Sequence, residues 1–78
     1  MIDIGASLKF HREEKGISQS ELAKLTGLTQ QNISRWEHNV HIPNAHDCAI
    51  LARFYDISID YLIGLENEDG SKNWIDSN

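Results

Sequence analysis

The stretch "GLTQQNISRWE", residues 27 to 37, gathers the side chains with the most to offer chemically. Adjacent Gln30 and Gln31 each carry one amide donor group and one acceptor, Thr29 and Ser34 add hydroxyls, and Arg35 adds a planar fork of donors. Such a set recognises a polar surface by hydrogen bonding and breaks no bonds. The rest of the chain supplies no reactive partner: it has no glycine-rich phosphate loop, no serine or cysteine nucleophile in a recognisable setting, and no carboxylate pair that helix spacing would join in a pocket. We therefore expect a non-enzymatic protein that uses no cofactor. His38, His41, His46 and Cys48 lack the paired short spacings of a structural zinc site, and Cys48 falls at a core position, so no metal is expected either.

These donors need a scaffold, and 78 residues allow one small domain. Hydrophobic residues make up 40% and charged residues 24%, the balance of an ordinary globular chain. No apolar run approaches the roughly 18 residues of a membrane span, and Asp3 interrupts the start where a secretory signal needs a basic flank and an apolar stretch. A single cysteine cannot form an internal disulfide. The expected address is the cytoplasm. The net charge of -5 is unevenly distributed: residues 1 to 55 hold six basic and six acidic residues, whereas 56 to 78 set Lys72 against six carboxylates. A neutral body with an acidic tail neither requires nor forbids an anionic partner.

Hydrophobic periodicity and cap residues predict five helices. Ile4, Leu8 and His11 mark one face of a first helix that stops at Gly16. Ser18 and Glu21 form a capping box for a second, with Leu22, Ala23 and Thr26 inward and Gly27 as its end. Thr29 caps a third, whose inward positions are Ile33 and Trp36 and whose end near Asn39 suits a left-handed residue. After Pro43 and Asn44, Cys48, Leu51, Ala52 and Phe54 or Tyr55 carry a fourth helix to Asp56. Ser58 caps a fifth, with Ile59, Leu62 and Ile63 as its apolar positions and Gly64 as its stop. The expected organisation is a domain over 1-65 and an acidic, flexible tail over 66-78, with no repeat and no convincing strand. Trp74 in that tail is either loose or an anchor for a partner.

A second helix, a turn around Gly27 and a third helix, packed by Leu22, Ala23, Leu28 and Ile33, have the spacing of a helix-turn-helix. The run "REEKGISQSELAKLTGLTQQNISRWE", then "IP" and "ILARFYDISIDYLIG", resembles the Cro and phage-repressor (XRE-type) helix-turn-helix family over residues 4 to 64. The resemblance implies an all-α, five-helix, lambda-repressor-like fold that binds duplex DNA sequence-specifically, commonly as a homodimer on a pseudo-palindromic operator. The first turn of the third helix would then enter the major groove. A glutamine amide there matches N6 and N7 of adenine, the Thr29 methyl can meet a thymine methyl, and Arg35 can reach guanine or phosphate. The expected base-contacting residues are Thr29, Gln30, Gln31, Ser34 and Arg35. Gln19 at the start of the second helix, Asn32, Asn39 and His41 are expected phosphate contacts; the resemblance also implies that Gln19 braces the first recognition glutamine, Gln30, and pairs Arg12 with Glu37 as a structural ion pair.

Where the family commonly has a basic loop after its Trp-Glu, this chain has His38, Asn39, Val40 and His41. If His38 and His41 lie beside phosphates they gain a proton readily and operator affinity would rise as pH falls; the alternative is two solvated loop residues. His11 takes a place the family usually gives to leucine, and is expected as a hydrogen-bonded core residue. Phe10, on an exposed face, could join Tyr61, Ile63 and Leu65 in a self-association patch. The rival to DNA binding is a protein-interaction module of the same fold, an antitoxin or antirepressor-like domain that engages a partner without reading bases.

Overall fold

The computed structural model describes residues 2 to 72, and Trp74 lies outside them. Five helices follow in order: α1 (Ile4–Glu14), α2 (Gln19–Thr26), α3 (Gln30–Glu37), α4 (Ala45–Tyr55) and α5 (Ile59–Ile63). Each begins at a side chain that accepts a hydrogen bond from the backbone N–H three residues on: Asp3, Ser18, Thr29, Asn44 and Ser58. Such caps satisfy donors that a helix cannot satisfy itself and contribute about 1 kcal/mol each. At α2 the cap is reciprocal, with Glu21 Oε1 accepting from the Ser18 N–H at 2.9 Å. Gly27 ends α2 at φ 79°, a left-handed conformation that costs glycine little and lets the chain turn at once into α3.

All five helices feed one core: Leu8, Leu22, Ile33, Trp36, Cys48, Leu51, Ala52 and Leu62 are buried, with Ile4, Ile17, Ala23, Leu28, Phe54, Tyr55, Ile57 and Ile63 packed around them. α1 lies against α3 and α5, α2 against α3 and α4, and α4 against α5. Helices α2 and α3 are only eight residues each. Isolated helices that short are marginal in water, so this packing and the caps hold them in shape.

α1 is also tied to its neighbours by polar contacts. Ser7 Oγ donates to the Leu62 carbonyl at 2.8 Å, and the buried His11 bonds through Nε2 to the Tyr61 carbonyl at 2.9 Å. At its other end, Asp3 Oδ1 accepts from both Ala6 N–H and Asn39 Nδ2, and these bonds hold its carboxyl below the usual carboxylate range. Asn39 Oδ1 in turn accepts from the Gly5 N–H at 3.0 Å. The start of α1 is thereby clasped to the residue just past the end of α3.

Two features differ from the periodic pattern. Ile59, an expected apolar position of α5, is 41% exposed at the first residue of the helix, while Leu62 takes the inward place. Beyond α5, residues 66 to 72 close a turn: Glu66 and Lys72 form an isolated antiparallel bridge, and Lys72 Nζ reaches Asp60 at 3.0 Å and Glu66 at 3.3 Å. Composition alone gave these residues no ordered contacts. Phe10 is exposed, while the other residues of the expected patch, Tyr61, Ile63 and Leu65, are half-buried.

Candidate nucleic-acid interface

The capped start of α3 and the start of α2 converge on an open polar recess lined by Gln19, Gln30, Gln31, Ser34 and Arg35. The helical repeat explains the grouping. Positions 30, 31, 34 and 35 fall on one face of α3, while Ile33 and Trp36 on the opposite face are buried and fix the helix in place. The Thr29 hydroxyl accepts from the Asn32 N–H at 3.1 Å, and its methyl remains for an outside contact. Gln30, Gln31, Asn32 and Arg35 are exposed and Ser34 is half-buried. Among the described residues, neither glutamine of α3 spends its amide on another side chain, and Arg35 has no carboxylate partner.

Beneath the recess lies a polar network. Arg12 donates to Glu37 twice, from Nε at 2.7 Å and from a second guanidinium nitrogen at 3.0 Å, and its third nitrogen donates to the Ile17 carbonyl at 2.8 Å. The two side chains are 12% and 3% exposed, so this is an interior pair joining α1 to the last residue of α3. The hydrogen bond to Glu37 is the main cause that raises the Arg12 pKa above its ordinary value. With its charge spent inside, Arg12 is not a phosphate ligand. Tyr55 borders the same interior space, its hydroxyl buried; desolvation, then the Glu37 charge, push its pKa up to about 12.

Two expected phosphate contacts are altered by this arrangement. Gln19 Nε2 donates to Glu37 Oε1 at 3.0 Å, so its amide is turned inward to the carboxylate and the free backbone N–H groups of the first turn of α2 are what it leaves for an anion. Asn39, at φ 59°, has both ends of its amide engaged, by Gly5 and by Asp3. It is a clasp between helices and not a free donor. Sequence reasoning missed this because the partners lie 34 and 36 positions away; the signals were the Asn at a left-handed position and the Gly early in α1.

The loop after α3 carries exposed His41 and exposed Val40 and Ile42, at 63% and 72%. His38 bonds through Nδ1 to the Ser34 carbonyl at 2.8 Å and so extends the last turn of α3. Among the described residues, no group of three metal-ligating side chains comes together. No helix there is long and apolar enough to cross a membrane.

Comparison with known proteins agrees with this geometry. Residues 8–62 match the profile of the helix-turn-helix family HTH_3, and the chain belongs to that family, in its Cro and phage-repressor (XRE) branch. This is a DNA-binding regulator fold and not an enzyme class. Among curated relatives, the HTH-type transcriptional regulator ImmR of Bacillus subtilis (strain 168) is 31% identical over 75 residues, covering 96% of this chain and 58% of that protein. The HTH-type transcriptional regulator YobD of the same organism is 30% identical over 61 residues, 78% of this chain and 54% of that one. The chain thus spans little more than half the length of the curated relatives it matches. Among solved structures, the P22 c2 repressor in complex with a synthetic operator superimposes with a TM-score of 0.70 at 30% identity, covering 77% of this chain and 91% of that one. The fold is all-α and lambda-repressor-like.

Proposed function

We propose that the chain is a sequence-specific duplex-DNA-binding transcriptional regulator, a repressor of prophage or mobile-element type, that docks α3 in the major groove. The observation that carries this reading is the recess of Gln19, Gln30, Gln31, Ser34 and Arg35, in which uncommitted amides and a guanidinium crown the first turns of α3. Gln30 pairs with N6 and N7 of an adenine, Gln31 and Arg35 read neighbouring bases, Ser34 supports either, and the Thr29 methyl meets a thymine methyl. The α2 backbone N–H at Gln19, Asn32 and His41 hold phosphates and set the register without reading sequence. Membership of the helix-turn-helix family and likeness to a repressor bound to its operator support the assignment.

Two copies bind as a homodimer with their α3 helices about 34 Å apart, one turn of B-DNA, on a pseudo-palindrome. Phe10, together with Tyr61, Ile63 and Leu65, is the candidate surface for self-association. The protein works in the cytoplasm, without cofactor. Selection of bound duplexes from a random pool tests the reading, run with the parent and with Gln30 and Gln31 both changed to alanine. Enrichment of a two-fold-related motif by the parent and its loss in the variant is the expected result. Enrichment of nothing by either protein, with binding to a protein partner retained, would transfer the assignment to a protein-interaction module, which the neutral charge of residues 1 to 55 would then explain.

A further inference from the structure

A second surface, away from the recess, combines exposed apolar side chains with cations. α2 and α4 meet at an open groove of about 350 Å³ lined by Leu25, Thr26, Ile50, Arg53 and Phe54. Leu25 is 62% exposed, and Ile50 and Phe54 are half-buried. Ile50, Arg53 and Phe54 share one face of α4, because positions three and four apart on a helix are neighbours. Lys24 and Glu21 flank Leu25, and Lys15 Nζ stands 5.8 Å over the Phe54 ring. Three cations thus border this apolar surface against one carboxylate, Glu21, whose Oε1 accepts from the Ser18 N–H in the α2 cap. Among the described residues, none of the three has a carboxylate partner. With Arg12 spent inside and Arg35 in the recess, they are three of the four basic side chains that remain in residues 1 to 55.

We propose that this groove docks an acidic amphipathic helix of a partner protein, with apolar side chains set on Leu25, Ile50 and Phe54 and carboxylates facing Lys15, Lys24 and Arg53. Charge complementarity fixes the sign of the partner. A protein of net charge -5 repels an acidic segment over much of its surface, so three unpaired cations around an exposed leucine select the place where one can settle. The shape selects a helix. A seam between two packed helices takes a third along it, through apolar anchors at i, i+3 and i+4. The lysine and arginine stems add apolar cover while their charged heads meet the carboxylates. A nucleic-acid backbone would match the cations but not Leu25 and Ile50, whose side chains offer phosphate no donor. Leu25 lies six residues beyond Gln19, about 9 Å further along α2, and the groove shares no residue with the recess. A partner held here leaves α3 available, and the inference does not rest on α3 reading bases.

The test pans a phage-displayed library of random linear peptides against the full chain, then measures the enriched peptides, made synthetically, by isothermal titration calorimetry. The expected consensus is net negative, with apolar residues at helical spacing. Its affinity should fall with added salt and drop about tenfold or more in Leu25→Asp, and likewise in the double variant Lys24→Glu with Arg53→Glu. All three positions are exposed, and circular dichroism confirms that each variant folds. Changing Gln30 and Gln31 to alanine should leave peptide affinity unchanged. Loss of binding in that last variant would place the peptide in the recess and overturn the inference. Enrichment of nothing, a basic or neutral consensus, or binding that survives Leu25→Asp would overturn it as well. Sedimentation equilibrium covers the other occupant: self-association of the parent that Leu25→Asp abolishes would put a second copy in the groove and reject the acidic partner.

Discussion

Replacing Gly5 by alanine sets two familiar effects against each other. An alanine inside a helix is worth up to about 1 kcal/mol over glycine, so propensity alone forecasts a more stable protein. The structure forecasts the reverse. A Cβ at position 5 would lie 2.6 Å from the Trp36 carbonyl oxygen, 2.7 Å from that of Glu37 and 2.8 Å from Asn39 Oδ1. Two of these three atoms are backbone in the last turn of α3 and cannot swing aside. Relief requires α1 and α3 to separate by about 0.8 Å, an overpacking strain of about 1 to 3 kcal/mol. The same movement stretches the Gly5 to Asn39 hydrogen bond, now 3.0 Å, at a further cost of about 1 kcal/mol. Position 5 is the second residue of α1, where the propensity gain is below its full value. The net expectation is a loss of about 2 kcal/mol, which for a domain of this size lowers Tm by roughly 10 °C. Thermal unfolding of parent and Gly5→Ala followed by circular dichroism measures it. An unchanged or higher Tm would refute the close approach of α1 to α3.

Other outcomes follow from the same contacts. Glu37→Ala leaves the Arg12 charge enclosed without its partner and should cost about 3 to 5 kcal/mol in urea unfolding, whereas the paired change Arg12→Met with Glu37→Leu should cost far less. Tyr55 stays protonated in the folded state until about pH 12, against an ordinary value of 10.0. Its contribution is therefore complete below pH 10 and is lost as pH rises through 12, so alkaline unfolding should be blunted in Tyr55→Phe. With few cations near the recess, each monomer should neutralise about three or four phosphates, so the homodimer should give a slope of about -6 in log K against log salt. A slope twice as steep would contradict the charge distribution on which that figure rests.

Local signals made most of the fold legible. Ser18 with Glu21, Thr29, Asn44 and Ser58 each act on a backbone group three residues away, so their caps can be read without knowing what lies elsewhere. The grouping of Gln30, Gln31, Ser34 and Arg35 is legible for the same reason, being a property of one helical repeat. What escaped was set by contacts across the chain. Asn39 looked like a free donor until Gly5 and Asp3 were placed beside it, and the inward turn of Gln19 depends on a carboxylate 18 positions away. Lys72 illustrates the same limit at the other end, where polar composition hid a lysine that closes a turn on Asp60 and Glu66. Ile59 failed in the opposite sense, a periodic position that the fold leaves 41% exposed.

The division of labour on α3 bears on how such a protein diverges. Ile33 and Trp36 hold the helix, while Gln30, Gln31 and Arg35 are exposed and contribute nothing to the interior. Substitutions at those three positions can accumulate with little penalty to folding, so copies of the gene could drift to new target sites while keeping one scaffold. Gln19 is not free in this way, since it serves the interior network and the recess at once. A designer who wished to retarget the protein would randomise 30, 31 and 35 and leave 19 and 37 as a fixed socket.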